Sequence, residues 1–199
     1  DKAPPKSDIA PVVIDATGHL VLPGLIDMEV HLSEPGFEYR ETIETGARAA
    51  AAGGCTAVAC MPDTEPPLDN AETVRFVRTQ AKEAAVRVYP VGAITLGRRG
   101  DQMAEIGRLV EAGVVGISDA GHPVENPAVL RRALEYARIF DLPVMVHCED
   151  KRLSADGMMN EGSASTRLGL KGMPTISEET MVARDIRLAE WTGGRIHIM

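Results

Sequence analysis

The sequence is short of several things, and each shortage excludes something. Only 4 % of its 199 residues are aromatic, so the core must be built from Ala, Val, Leu, Ile and Met. Basic residues are outnumbered, 21 against 29 acidic, and the resulting net charge of −8 argues against a nucleic-acid partner. No apolar run is long enough to span a bilayer. The opening residues Asp1-Lys2-Ala3-Pro4-Pro5-Lys6 carry no apolar stretch of the signal-peptide kind, and the first residue is not Met, which fits processing or truncation. Cysteine is scarce: Cys55, Cys60 and Cys148 are odd in number and lack framework spacing, which implies reduced thiols and a cytoplasmic protein. No Gly-x-Gly-x-x-Gly follows the first strand candidate, so a dinucleotide-binding open sheet loses support.

What is present is alternation. Short, apolar, β-branched runs predict strands at Leu25–His31, Thr56–Cys60, Val86–Ile94, Val114–Ser118, Pro143–His147 and Arg195–Met199. Between them, helical patterns run over Glu41–Ala52, Asn70–Ala84, Gln102–Ala112, Pro127–Phe140 and Glu178–Trp191. Gly53-Gly54, Gly113 and Gly193-Gly194 stand where left-handed helix ends belong, and Asp69 and Ser177 where N-caps belong. Strict alternation implies a parallel sheet. Polar residues gather at strand C-termini, namely Glu29, His31, Asp63, Asp119 and His147, which favours an α/β fold of the β/α (TIM-type) barrel kind over an open sheet. Six strands are counted where a barrel closes with eight, so the barrel is incomplete. Ahead of it, Val12–Leu22 reads as two short strands around a Thr17-Gly18 turn, the remnant of a small β-domain. The expected division is residues 1–22 and residues 23–199.

Four segments carry candidate chemistry. Glu29 and His31 are two apart on a strand and so share a side, and both are competent zinc ligands; on its own the pair fits a structural role as well. His147 ends a different strand and precedes an acidic loop, again as ligand or as structural histidine. Asp119 reads as ligand, N-cap or turn residue, and His122 before Pro123 as a loop residue. The loop Cys60-Met61-Pro62-Asp63-Thr64-Glu65-Pro66-Pro67 is either a plain connector or a substrate loop.

Together these segments resemble the dihydroorotase branch of the amidohydrolases. The matching text is Leu22-Pro23-Gly24-Leu25-Ile26-Asp27, Glu34-Pro35-Gly36, Glu41-Thr42-Ile43-Glu44-Thr45-Gly46, Ala49–Gly54, Met61-Pro62, Pro66-Pro67-Leu68-Asp69-Asn70, His147-Cys148-Glu149-Asp150 and Gly172-Met173-Pro174, in the family's order. The resemblance implies a β/α barrel with a small β-sandwich. It also implies one or two zinc ions that generate a hydroxide, and the reversible cyclisation of N-carbamoyl-L-aspartate to dihydroorotate in pyrimidine biosynthesis.

Carried over by position, the family's His-x-His is Glu29-Val30-His31 here. Its carboxylate-gripping arginine is Ser33, the asparagine of its Met-Pro-Asn-Thr loop is Asp63, and its metal-bridging aspartate is Ala120. The resemblance thus names His31, His147, Glu29 and Asp119 as metal ligands and Ser33 and Asp63 as substrate contacts. It places the next histidine ligand and the catalytic aspartate beyond Met199, leaving no catalytic residue of its own within the chain. The four departures argue against efficient turnover. They leave room for a non-catalytic homologue acting as an assembly partner, for example of aspartate transcarbamoylase, for a homo-oligomer, or for a truncated chain.

Overall fold

The computed structural model describes residues 12–199. Six parallel strands form one curled sheet: β1 (Leu25–Val30), β2 (Cys55–Cys60), β3 (Arg87–Gly92), β4 (Gly116–Ser118), β5 (Val144–Val146) and β8 (Ile196–Ile198), hydrogen-bonded in that order. Helices α1 (Ile43–Ala52), α2 (Ala71–Gln80), α3 (Ile106–Ala112) and α4 (Pro127–Ala137) connect successive strands. Between β5 and β8 run α5 (Lys151–Ser154), β6 (Met159–Asn160), α6 (Ser163–Leu168), β7 (Gly172–Met173) and α7 (Ile176–Thr192). β6 and β7 form a separate two-stranded sheet. All six strand expectations and the partial barrel are met. The small elements between residues 151 and 173 were not expected, because their apolar runs are too short to show a period.

The sheet has two faces and two cores. On the helix side a large cluster includes Val58, Cys60, Val74, Leu109, Ile117, Leu130, Leu134 and Val144, all essentially buried. Each such side chain contributes about 1.5–3 kcal/mol by leaving water. On the concave side Met61, Val91, Ala120 and Met145 form a smaller cluster, with Ala59 and Met199 against it. Further down that concave face Ile26, Met28, Tyr89 and Val115 line an apolar hollow and stay 40–65 % exposed.

The helices follow from their ends. Thr42 caps α1 with a reciprocal Thr42–Thr45 box, and Asn126 with Pro127 at the first turn opens α4. Gly46 has a packing reason: a Cβ there would sit 2.4 Å from the buried Leu32 side chain. Gly113 and Gly193 adopt the expected left-handed conformation; after α1 it is Gly54, not Gly53, that does so.

Several expectations are corrected. Asn70, not Asp69, caps α2, while the Asp69 carboxylate accepts from Gly97 N–H. Thr175 is the N-cap position of α7, and Ser177 lies inside that helix, its hydroxyl donating to the Pro174 carbonyl. The helix expected from Gln102 starts only at Ile106, because residues 102–104 fold back on Ile94–Leu96 through Leu96 N–H to Gln102 and Ala104 N–H to Ile94. α2 and α4 end at Gln80 and Ala137, each tightening into one 3₁₀ turn. No strand forms over residues 12–22. Only the Thr17-Gly18 turn is present, held by Asp15 accepting from the Thr17 N–H and hydroxyl. Pro11 and the residues before it lie outside the described part.

Candidate active site

A local irregularity in β1 prepares the mouth of the half-barrel. Asp27 pairs with Val58 and Val30 with Cys60, so three steps on β1 oppose two on β2. This is a bulge, and it resets the in–out alternation. Ile26 and Met28 face the concave side below it, whereas Val30 packs into the helix-side core above it. Glu29 and His31 are thereby turned to the concave side at the strand's end. Asp27 supports the bulge, its carboxylate accepting from Glu29 N–H at 3.1 Å.

His31 does not stand alone. Its Nδ1 lies 2.7 Å from Asp63 Oδ2, across from the loop that follows β2. The hydrogen bond to Asp63 raises the His31 pKa, against partial burial, and the negative charges of Asp63 and Glu29 add to it. Burial alone would raise Asp63, but the bond to His31 and the nearby positive charge outweigh it and hold its carboxyl below the ordinary carboxylate value. Asp63, expected as a substrate contact, is paired with His31 in this structure. Ser33 follows in a left-handed conformation (φ 59°), its carbonyl accepting from Phe37 N–H.

His147 closes β5 with a different arrangement. Its Nε2 is 3.0 Å from Glu149 Oε2, and the same carboxylate accepts from Ser154 Oγ at 2.5 Å and from the Lys151 ammonium. The bond from Lys151, then that from Ser154, lower the Glu149 pKa to about 2. Behind this strand end, Cys148 Sγ contacts Asp185 Oδ2 at 3.6 Å on α7, and Arg184 Nε donates to Asp185 Oδ1 at 2.7 Å. Arg184 also donates to the carbonyls of Val124 and Glu125, tying α7 to the loop after β4. Burial pushes the Cys148 thiol up to about 12 and raises Asp185 despite its arginine partner. Cys148 is thus an inert, structural thiol.

Asp119 is 2 % exposed, and both its oxygens are used: Oδ1 accepts from Ile94 N–H and Thr95 N–H, and Oδ2 from the Thr95 hydroxyl at 2.5 Å. Of the roles open to it from sequence, this geometry is that of a loop anchor, which fixes the segment after β3. Ala120, next to it, is left-handed (φ 52°) and buried in the concave cluster beside Met61 and Met145.

A zinc ion takes three or four donors at about 2.0–2.3 Å. Among the described residues no three of His, Cys, Asp or Glu gather closely enough to hold a metal ion. The candidate ligands instead form two histidine–carboxylate pairs at the ends of β1 and β5, with Glu29 near the first and Asp119 turned away. By themselves these described side chains do not complete a zinc site, and no step of the chemistry is assigned to one.

Sequence reasoning missed Arg98. The signal was available in Gly97-Arg98-Arg99-Gly100, two cations between glycines in the loop after β3. Arg98 Nη1 donates to the Asp119 carbonyl at 3.1 Å and lies 3.4 Å from His122 Nδ1, and its charge is felt at both His31 and Asp63. The Arg184–Asp185 buttress was also missed, since nothing in a helical period reveals which polar residue will be buried.

Residues 18–199 match the family model described as dihydro-orotase-like. A curated dihydroorotase of Pelotomaculum thermopropionicum is 59 % identical over 186 residues, 94 % of this chain and 44 % of that one. A dihydroorotase of Solibacter usitatus is 55 % identical over 197 residues, 98 % of this chain and 46 % of that one. The chain thus spans less than half the length of these relatives. Among solved structures, an L-hydantoinase (dihydropyrimidinase) from Arthrobacter aurescens superposes with TM-score 0.73 at 23 % identity, covering 93 % of this chain and 43 % of that one. A Saccharomyces cerevisiae dihydroorotase solved with 5-fluoroorotic acid gives TM-score 0.54 at 15 % identity, covering 87 % and 46 %. At these identities the two structures speak for the fold alone.

Proposed function

The chain belongs to the dihydro-orotase-like family, and from that membership we propose that it forms the first part of the barrel of a protein acting on the N-carbamoyl-L-aspartate/dihydroorotate pair. The observation that carries this reading is the run of site positions at one end of the sheet, in a chain 59 % identical to a named dihydroorotase. His31 and His147 close two strands at the same mouth. In the whole protein they are the zinc-facing pair contributed by this segment, with Glu29 beside His31; further donors must come from elsewhere for a metal to be held. Residues 1–22 belong to a separate β-domain in this reading, supported by apolar Val12, Val13, Ile14, Leu20, Val21 and Leu22, each more than 70 % exposed. Three free thiols fit a cytoplasmic setting, and no helix among the described residues is long and apolar enough to cross a membrane.

A specific observation favours a second reading, a non-catalytic homologue working within an assembly such as one with aspartate transcarbamoylase. The donors do not converge, and Ser33, Asp63, Glu29 and Ala120 all depart from the family pattern at the mouth. Zinc content and carbamoyl aspartate cyclisation by the full-length protein separate the two. Measurable turnover is expected, rising about 10-fold or more when Glu29→His and Ala120→Asp are made together. A protein that stays metal-free and inactive in both forms sinks the catalytic reading, and co-purification with the transcarbamoylase then decides for the second.

A further inference from the structure

Beside the mouth lies a cleft of about 700 Å³, formed where the loops after β3, β4 and β5 meet. Its charged lining is Arg98, Arg99, Lys151 and Arg152 against Asp101 and Glu125. That balance is positive in a chain whose net charge is −8. Two of the cations are already engaged, Lys151 with Glu149 and Arg152 with Glu125 at 3.5 Å. Among the described residues Arg98 and Arg99 make no ion pair. His122, also lining the cleft, has its pKa lowered by burial first and then by the charges of Arg98 and Lys151.

Arg98 is also held in place. Gly97 and Arg98 are both left-handed (φ 60° and 56°), a conformation that a non-glycine residue adopts only at a cost. The turn is supported by the Asp119 carbonyl, to which Nη1 donates, while the Asp119 side chain anchors the same loop through Ile94 and Thr95. One end of the guanidinium is thereby fixed. Nε and Nη2 make no protein hydrogen bond among the described residues, and these two parallel donors match the two oxygens of a carboxylate. The half-buried, anchored fork loses little rotamer freedom when a ligand binds.

We propose that Arg98 is a ligand-binding residue that grips a small carboxylate in this cleft, a role that Ser33, with its short neutral side chain, cannot fill. The identity of the carboxylate as carbamoyl aspartate rests on the function proposed above; the grip itself does not. Calorimetric titration of the full chain at low salt with N-carbamoyl-L-aspartate, succinate and inorganic phosphate tests it. Arg98→Gln is expected to weaken carboxylate binding about 10-fold or more, and Arg98→Lys to fall between, having charge without the fork. Arg131→Gln, on the outer face of α4, changes the net charge equally and leaves binding unaltered. In the unmutated chain the Arg98 Nε–H resonance moves on adding succinate.

The proposal is overturned if that resonance does not move, if Arg98→Gln binds within two-fold of the parent, if phosphate binds more tightly than either carboxylate, or if the parent binds none of the three. Arg98-dependent binding of succinate with no competition from carbamoyl aspartate upholds the grip and removes the functional reading. Cyclisation of carbamoyl aspartate unaffected by Arg98→Gln does the reverse.

Discussion

Two histidines end two strands of one sheet, each beside a carboxylate, yet they are held by different kinds of contact. His31 meets Asp63 from a position 32 residues away, so the pair exists only once β1 and β2 are side by side. His147 meets Glu149 two residues on, and Glu149 is shared with Lys151 and Ser154 in the same short stretch. Support behind them differs as well. The β5 end rests on the buried Asp185 and its Arg184 partner in α7, whereas β1 is an edge strand whose residues are mostly exposed. The β1 end thus depends on one contact between distant segments, whereas the β5 end is fixed by local contacts and by a buried ion pair behind it.

The strongest way to break that contrast is to remove the buttress. Asp185 is 1 % exposed, and Asp185→Ala would leave Arg184 without its carboxylate partner behind the β5 end. Removing one partner of a buried pair costs about 3–5 kcal/mol, so a loss of about 3 kcal/mol is expected in urea denaturation. A loss below about 1 kcal/mol would mean that the buried pair does not hold this end.

Next comes Asp63→Asn, which acts on the β1 end alone. Proton NMR should show the His31 titration moving down toward 6.5. The raised pKa of His31 stabilises the fold below about 6.5 and loses that effect as pH rises through the folded value. The lowered pKa of Asp63 stabilises it above 3.8 and fades as pH falls through the folded value. The pair therefore helps most between these two ordinary values, and Asp63→Asn should flatten stability in that window. An unchanged His31 titration would dissolve the distinction.

The smallest effect is expected from Glu149→Gln. Its carboxyl contributes stability that is complete above 4.5 and is lost as pH falls toward about 2. The variant should show a shallower acid limb in pH-dependent melting, with a deficit that is present at neutral pH and vanishes as pH falls toward about 2; the deficit stays small because the contacts are local and the group is near the surface. A large loss at neutral pH would show that Glu149 organises more than its own loop.

The architecture was legible because it rests on periodicity: apolar runs two-sided enough for a buried parallel sheet, helical stripes such as Val74 and Val77 on α2, and glycines at helix ends. The candidate positions were legible as strand ends. Their relations were not. Asp63 is identical in sequence terms whether it meets a substrate or His31, and Asp119 whether it faces a metal or the Thr95 backbone. The bulge in β1 also escaped, since a shift of register between Asp27 and Val30 is a property of two strands and neither one alone encodes it. Residues 12–22 read as strands because their composition is β-prone; with no neighbour to pair with among the described residues, they form a turn and extended chain.

By itself, then, the amino-acid order determined the alternation of strand and helix, the parallel sheet it demands and the family to which the chain belongs, because all three follow from local pattern and ordered motifs. Only the tertiary structure decided which way Glu29 and His31 turn, that Asp63 answers His31, that Asp119 is spent on its own loop, and that Arg98 keeps two donors free over a cleft. Those outcomes depend on distances between residues far apart in the chain, and such distances exist only after the sheet has curled.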